Sequence, residues 1–184
     1  MKHRILFTGH MIDAKDRGAP RFPPHKEMSV RQEIEKHIRN LKERFNNDLI
    51  GIAGGACGGD ILFHELCLEI NIPSEMYLAM SIPQFKKESV SFAGKTWDKR
   101  FDKLAEQLTV HILPESNAGD KSENVWERTN LWMLQAALEE GGKHMTLIAL
   151  WDGKRGDGNG GTEHMVNVAN DEGAKVEIID INKL

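Results

Sequence analysis

Ala53-Gly-Gly-Ala-Cys-Gly-Gly-Asp60, running on into Ile61-Leu-Phe-His64, is the stretch from which the fold is read. Leu49-Ile-Gly-Ile52 before it is a short apolar run with β-branched residues, and Ile61 to Ile70 after it is an apolar segment without a helix breaker. Strand, glycine-rich turn and helix follow from those patterns. The glycines Gly54, Gly55, Gly58 and Gly59 remove Cβ obstruction, so backbone N–H groups of the turn are free to converge beside the positive end of the next helix. Such a turn suits a phosphate or another anion. The competing reading is a tight strand-to-helix turn with no ligand. The spacing is neither the P-loop, since no Gly-Lys-Ser/Thr follows, nor the dinucleotide fingerprint G-x-G-x-x-G.

Toward the N-terminus, Arg4-Ile-Leu-Phe-Thr8 reads as a buried strand ending in Gly9-His10. A polar loop of roughly fifteen residues follows, with Asp13, Asp16, Arg17, Arg21 and Pro23-Pro24, long enough to cover a site. Ser29 is the expected N-cap of a helix carrying Val30, Ile34, Ile38, Leu41 and Phe45, ended by Asn46-Asn47-Asp48. Beyond the helix from Asp60 to Asn71, Glu75–Ala79 is a third strand and Pro83 opens a polar stretch. A helix from Trp97 to Leu108 and a strand from Thr109 to Leu113 come next. Asn124 caps a helix through Trp126, Leu131, Leu134 and Leu138; Trp126, Trp132 and Trp151 are read as core, with Trp151, ending a strand beside the expected pocket, read also as a ring to stack on a base. Met145–Trp151 is the strongest strand signal, followed by a second glycine-rich loop from Asp152 to Gly161. Thr162 is the expected N-cap of a helix through Met165, Val166 and Ala169, and Lys175–Ile179 is the last strand.

This alternation predicts an α/β, Rossmann-like three-layer fold with a mostly parallel central sheet, forming a single domain over residues 1–184. Ligands of such sheets bind beyond the carboxyl ends of the strands, where both glycine-rich loops, the Gly9-His10 turn and the start of the Asn124 helix meet.

The composition bounds the rest. A chain of 184 residues with 40% hydrophobic and 28% charged residues is ordinary for a globular domain. No apolar run approaches the roughly 20 residues of a membrane span, and the start of the chain is too short for a signal peptide, so no membrane partner is expected. Two cysteines, Cys57 and Cys67, make no disulfide framework and point to a reducing, cytoplasmic setting. The net charge of −4 without a basic cluster disfavours nucleic acid as a partner. His64 and Cys67 have no second pair at zinc spacing, so no metal is expected, and no cofactor is implied.

Gly54-x-Ala56-x-Gly58-x-Asp60-x-x-x-His64 resembles the S-G-x-A-x-G-x-D-x-x-x-H segment of DprA/Smf proteins. Trp126-Glu127-Arg128 resembles the helical Glu-Arg pair of the LOG phosphoribohydrolases, and Gly160-Gly161-Thr162 is similar to their P-G-G-x-G-T-x-x-E segment. In this order the three motifs resemble the SLOG superfamily of Rossmann-like nucleotide-binding domains. The resemblance implies a fold over nearly the whole chain and one of three activities: sensing of a nucleotide-derived signal such as an ADP-ribose derivative, LOG-like hydrolysis of nucleoside monophosphates, or DprA-like binding of single-stranded DNA. The departures matter. The LOG proline is absent, the loop from Gly153 to Asn159 is longer, and the position of the LOG catalytic Glu falls on Met165. Glu163, two positions earlier and about 200° around a helix, is the nearest carboxylate and the one weak catalytic candidate. Glycosidic hydrolysis needs a carboxylate near the anomeric carbon, which favours a sensor.

The ligand-binding candidates are therefore Thr8, Gly9 and His10 at the first strand, and Gly54, Gly55, Ala56, Cys57, Gly58 and Asp60 in the glycine loop. Arg128 would grip a phosphate through its planar fork and Asn130 a ribose or base, and Trp151, Gly160, Gly161, Thr162 and Glu163 complete the set. Asp60 is read equally as a ribose ligand or as the cap of its own helix. The expected partner is a nucleotide-derived small molecule, with a second copy of the chain or an effector protein left open.

Overall fold

Residues 2–46, 48–114, 124–154 and 161–184 are described by the structure, a computed structural model. Apolar runs become the strands β1 (His3–Gly9), β2 (Leu49–Ala53), β3 (Ser74–Leu78), β4 (Thr109–Ile112), β5 (Met145–Trp151) and β6 (Lys175–Asp180). Between them lie the helices α1 (Glu27–Phe45), α2 (Gly59–Glu69), α3 (Ile82–Ser89), α4 (Lys95–Gln107), α5 (Val125–Ala137) and α6 (Thr162–Asp171). The sheet order is β4-β3-β2-β1-β5-β6 and every ladder is parallel. The fold is thus α/β with three layers.

Right-handed crossovers decide the layers. From β1 to β4 each strand is added outside the last, which places α1, α2, α3 and α4 on one face. The chain then reverses: α5 crosses the other face, packing on β1, β2 and β3, and delivers β5 to the free side of β1. Strand alternation supplies both cores. Ile5 and Phe7 face Ile34, Ile38, Phe63, Leu66 and Phe101 on one side. Leu6, Leu147 and Ala149 face Met133, Leu134, Met165 and Ala169 on the other. Lying between β1 and β6, β5 is buried throughout except at Trp151, as a strand covered on both faces must be.

Some boundaries differ from the sequence reading. The first helix starts at Glu27 rather than Ser29, because a 3₁₀ turn at Pro24–Lys26 leads straight into it. The stretch opened by Pro83 contains α3, with the proline in its first turn where the missing N–H costs nothing. Thr162 is the first residue of α6 rather than its cap; Gly161 holds the cap position and makes no side-chain capping bond. Asn124 does cap α5, accepting from the N–H of Trp126 at 3.0 Å. Among the described residues no helix is long and apolar enough to cross a membrane.

Candidate functional site

Chain reversal between β1 and β5 creates the crevice where sheets of this kind bind ligands. The glycine loop after β2 forms its floor, and its hydrogen bonds are largely committed to the protein itself. Ala56 N–H donates to Asp60 Oδ2 at 3.2 Å. Cys57 N–H donates to Ser89 O at 3.0 Å and Gly59 N–H to His10 O at 3.2 Å. The loop is therefore knitted to the segment after β1 and to the end of α3, and these three donors do not converge on open space as expected. The glycines serve close approach instead. A Cβ at position 54 would stand 2.6 Å from Asp60 Oδ2, and one at 55 about 3 Å from Leu78, Met76 and Phe101. Gly58 has φ 108°, a conformation L side chains rarely adopt, where the loop meets Met11.

His64 locks this loop from beneath. Its Nε2 lies 2.8 Å from Gly54 O, an acceptor, so Nε2 carries the proton; Nδ1 then accepts from the Ser74 hydroxyl at 2.7 Å. Burial holds the ring neutral, with a pKa lowered to about 4. His64 is a core residue and does not reach the crevice.

Above the loop lies a cleft of about 480 Å³ along the carboxyl ends of β1, β2 and β3. Its floor is Thr8, Gly9, Gly54, Ala56 and Asp60. Phe85, Glu88 and Ser89 of α3 form one wall; Trp126, Thr129, Asn130 and Met133 of α5 form the other. Tyr77 closes the β3 end, and Gly161 and Thr162, at the start of α6, close the opposite end. Phe85 and Trp126 meet at a corner, ring centroids 5.8 Å apart and planes at 62°. Asp60 is half-buried on the floor. Burial pushes its carboxyl up to about 7, against the opposing pull of the Ala56 N–H. Among the described residues lining the cleft there is no Lys, Arg or His.

Of the residues singled out from the sequence, Thr8, Gly9, Gly54, Ala56, Asp60, Asn130, Gly161 and Thr162 are brought together on this cleft. Others are not. His10 turns toward Asp152, Nε2 to Oδ1 3.4 Å, an ion-pair distance rather than a well-formed hydrogen bond. Burial lowers the His10 pKa, Asp152 opposes that, and Arg21 adds to it. Gly55 and Gly58 pack against core side chains and the β1 loop. Cys57 is fully buried and its thiol is pushed up to about 12 by burial, which removes it as a nucleophile. Arg128 stands about 200° around α5 from both Trp126 and Asn130, so it does not face the cleft; its Nε is buried without a hydrogen-bond partner among the described residues. Trp151 is half-buried and donates its indole N–H to Lys154 O at 2.7 Å, and Glu163 also lies off the cleft. Gly160 lies outside the described residues.

The sequence reading missed one wall altogether. Phe85, Glu88 and Ser89 were lost with α3, although Ile82, Phe85 and Ser89 fall at helical spacing and carry its signal. Trp126, expected in the core, is 37% exposed on the cleft. Met165, at the position of the LOG catalytic Glu, is fully buried beneath the sheet. Among the described residues no cluster of three or more His, Cys, Asp or Glu is placed to hold a metal ion.

No family model and no curated protein matches this sequence. Among solved structures, the fold is similar to the X-ray structure of DNA processing protein A (DprA) from Streptococcus pneumoniae, with a TM-score of 0.56 and 16% identity. The match covers 96% of this chain and 50% of that one, so this chain spans half the length of that protein. The resemblance to DprA/Smf proteins read from the glycine motif is thus met by a likeness of fold.

Proposed function

We propose that the cleft binds a nucleotide-derived small molecule and that the domain works as a sensor of it. One observation carries this reading: the cleft changes character along the sheet edge. Aromatic rings stand at the β3 end, Asp60 in the middle, and the N-terminus of α6 at the β1 end. β3 and β1 are two strand spacings apart, about 10 Å, a span a nucleoside monophosphate bridges. The base then packs on Trp126 and Phe85, the sugar hydroxyls meet Asp60, and the phosphate meets the first-turn N–H groups of α6. The volume of about 480 Å³ lies within the usual range for small-molecule sites. Single-stranded nucleic acid is disfavoured, since the described lining bears Asp60 and Glu88 and no cation.

A hydrolytic reading draws on the same two carboxyls. Burial raises the Asp60 carboxyl to about 7 while Glu88 is exposed, and two carboxyls in unlike surroundings are how glycosidases divide acid and base roles. Titration calorimetry with AMP and ADP-ribose, paired with chromatography for released base, separates the readings. Binding without release is expected. Trp126→Ala should weaken binding by about 1–3 kcal/mol, the worth of a stacked base. No binding at millimolar ligand ends the proposal, and release at about 1 s⁻¹ makes the protein an enzyme.

A further inference from the structure

Resting on the nucleotide-binding reading above, we infer that the β3 end of the cleft is a subsite for a positively charged aromatic ring, so that the ligand is a nucleotide whose base carries a permanent charge, of the pyridinium type. Three rings, Tyr77, Phe85 and Trp126, line this end. Phe85 and Trp126 form a corner at 62°, with Phe85 buried behind and Trp126 37% exposed, so Trp126 is the ring a flat ligand meets first. A neutral base gains stacking from such walls. A cationic ring gains in addition from the negative faces of the aromatic quadrupoles.

The charges around the rings separate those two cases. Glu88 follows Phe85 by three residues on α3, so both project from one side of the helix into the same wall. Asp60 lies on the floor, and its hydrogen-bond partner is the neutral Ala56 N–H. No Lys, Arg or His stands among the described residues of the lining to balance the two carboxyls. The half-buried Asp60 carboxylate is costly without a counter-charge and exposed Glu88 adds a solvent-screened attraction, so a cation arriving with the ligand relieves the one and gains from the other. The same carboxyls repel a phosphate, which leaves the phosphate the far end of the cleft, at Gly161 and Thr162. Ring charge at one end and phosphate at the other describe one molecule lying along the sheet edge.

The test uses two ligands that share ribose and phosphate and differ in ring charge. Nicotinamide mononucleotide has a cationic ring; its reduced form has a neutral one. Calorimetry on the full chain at pH 8 should find the oxidised form binding at least tenfold more tightly. Glu88→Gln, at an exposed position that leaves folding intact, should narrow that ratio about threefold, and Asp60→Asn should narrow it further. Equal affinities for the two forms overturn the inference, as does a ratio unmoved by both substitutions. Binding of AMP or ADP-ribose with no binding of either mononucleotide overturns it too, while leaving the nucleotide reading in place. If none of the four compounds binds, the nucleotide reading itself falls.

Discussion

Asp60→Asn is expected to stabilise the protein, and to do so more at pH 8 than at pH 5. The substitution changes little in shape: the amide oxygen still accepts from Ala56 N–H, and Gly54 still leaves the group its seat. What it removes is the cost of ionising a carboxyl in the cleft. An ordinary aspartate titrates near ~3.9, and Asp60 is raised to about 7. At about 1.4 kcal/mol per unit this sets a ceiling of about 4 kcal/mol. Asp60 keeps contact with cleft water, so about 1–2 kcal/mol is the working figure. Because the folded value lies above the unfolded one, the contribution is fully present below ~3.9 and is lost as pH rises through about 7. Urea denaturation of both proteins at pH 5 and pH 8 measures it. His3 and His64, both lowered to about 4, act with the opposite sign, destabilising the fold as pH falls from about 6.5 toward 4. They are common to both proteins and cancel in the comparison. A stability difference between variant and wild type that is the same at both pH values refutes the reasoning.

Arg128→Ala should leave affinity for AMP or ADP-ribose within about 0.5 kcal/mol in calorimetry, since Arg128 stands on another face of α5 from the cleft. Met165→Glu should lower stability by more than about 3 kcal/mol in denaturant titration and gain no hydrolysis, because position 165 is core and the new carboxylate has no partner there. Gly142→Ala should cost about 2–3 kcal/mol by thermal melting, as its Cβ would lie 2.0 Å from the backbone oxygen of Glu172, which cannot swing aside.

Elements whose own chemistry decides their state were legible in the sequence. Leu49–Ala53 and Met145–Trp151 are strands with the expected ends, since both are apolar runs bounded by polar or glycine residues. The sheet edge carrying the cleft followed from the alternation of strands and helices alone. What escaped depended on tertiary partners. Eight-residue α3 has too few positions for its periodicity to stand out, and Pro83 reads as a breaker unless it is known to sit in the first turn. The glycine motif promised free donors, but a sequence does not tell whether an N–H is spent, and here Ser89, His10 and Asp60 take them. Arg128 was placed by its resemblance to a motif, while its orientation depends on which face of α5 the sheet buries, set by Met133, Leu134 and Ala137.

The pairing of β1 with β5 also sets a timetable for the chain as it is made. One edge of β1 is matched early, when Leu49 arrives beside His3; the other waits for Met145, which pairs with Arg4. At the usual pace of synthesis the delay between those two events is on the order of ten seconds. Throughout it one of the two central strands of the future sheet has one side bare, and an uncovered apolar strand edge is a template for the wrong neighbour. A ribosome-bound chain therefore carries four of its strands, much of one core and no cleft, so nothing the cleft binds can rescue it during that interval. Chaperone capture during synthesis should then cease once residues 145–151 clear the exit tunnel.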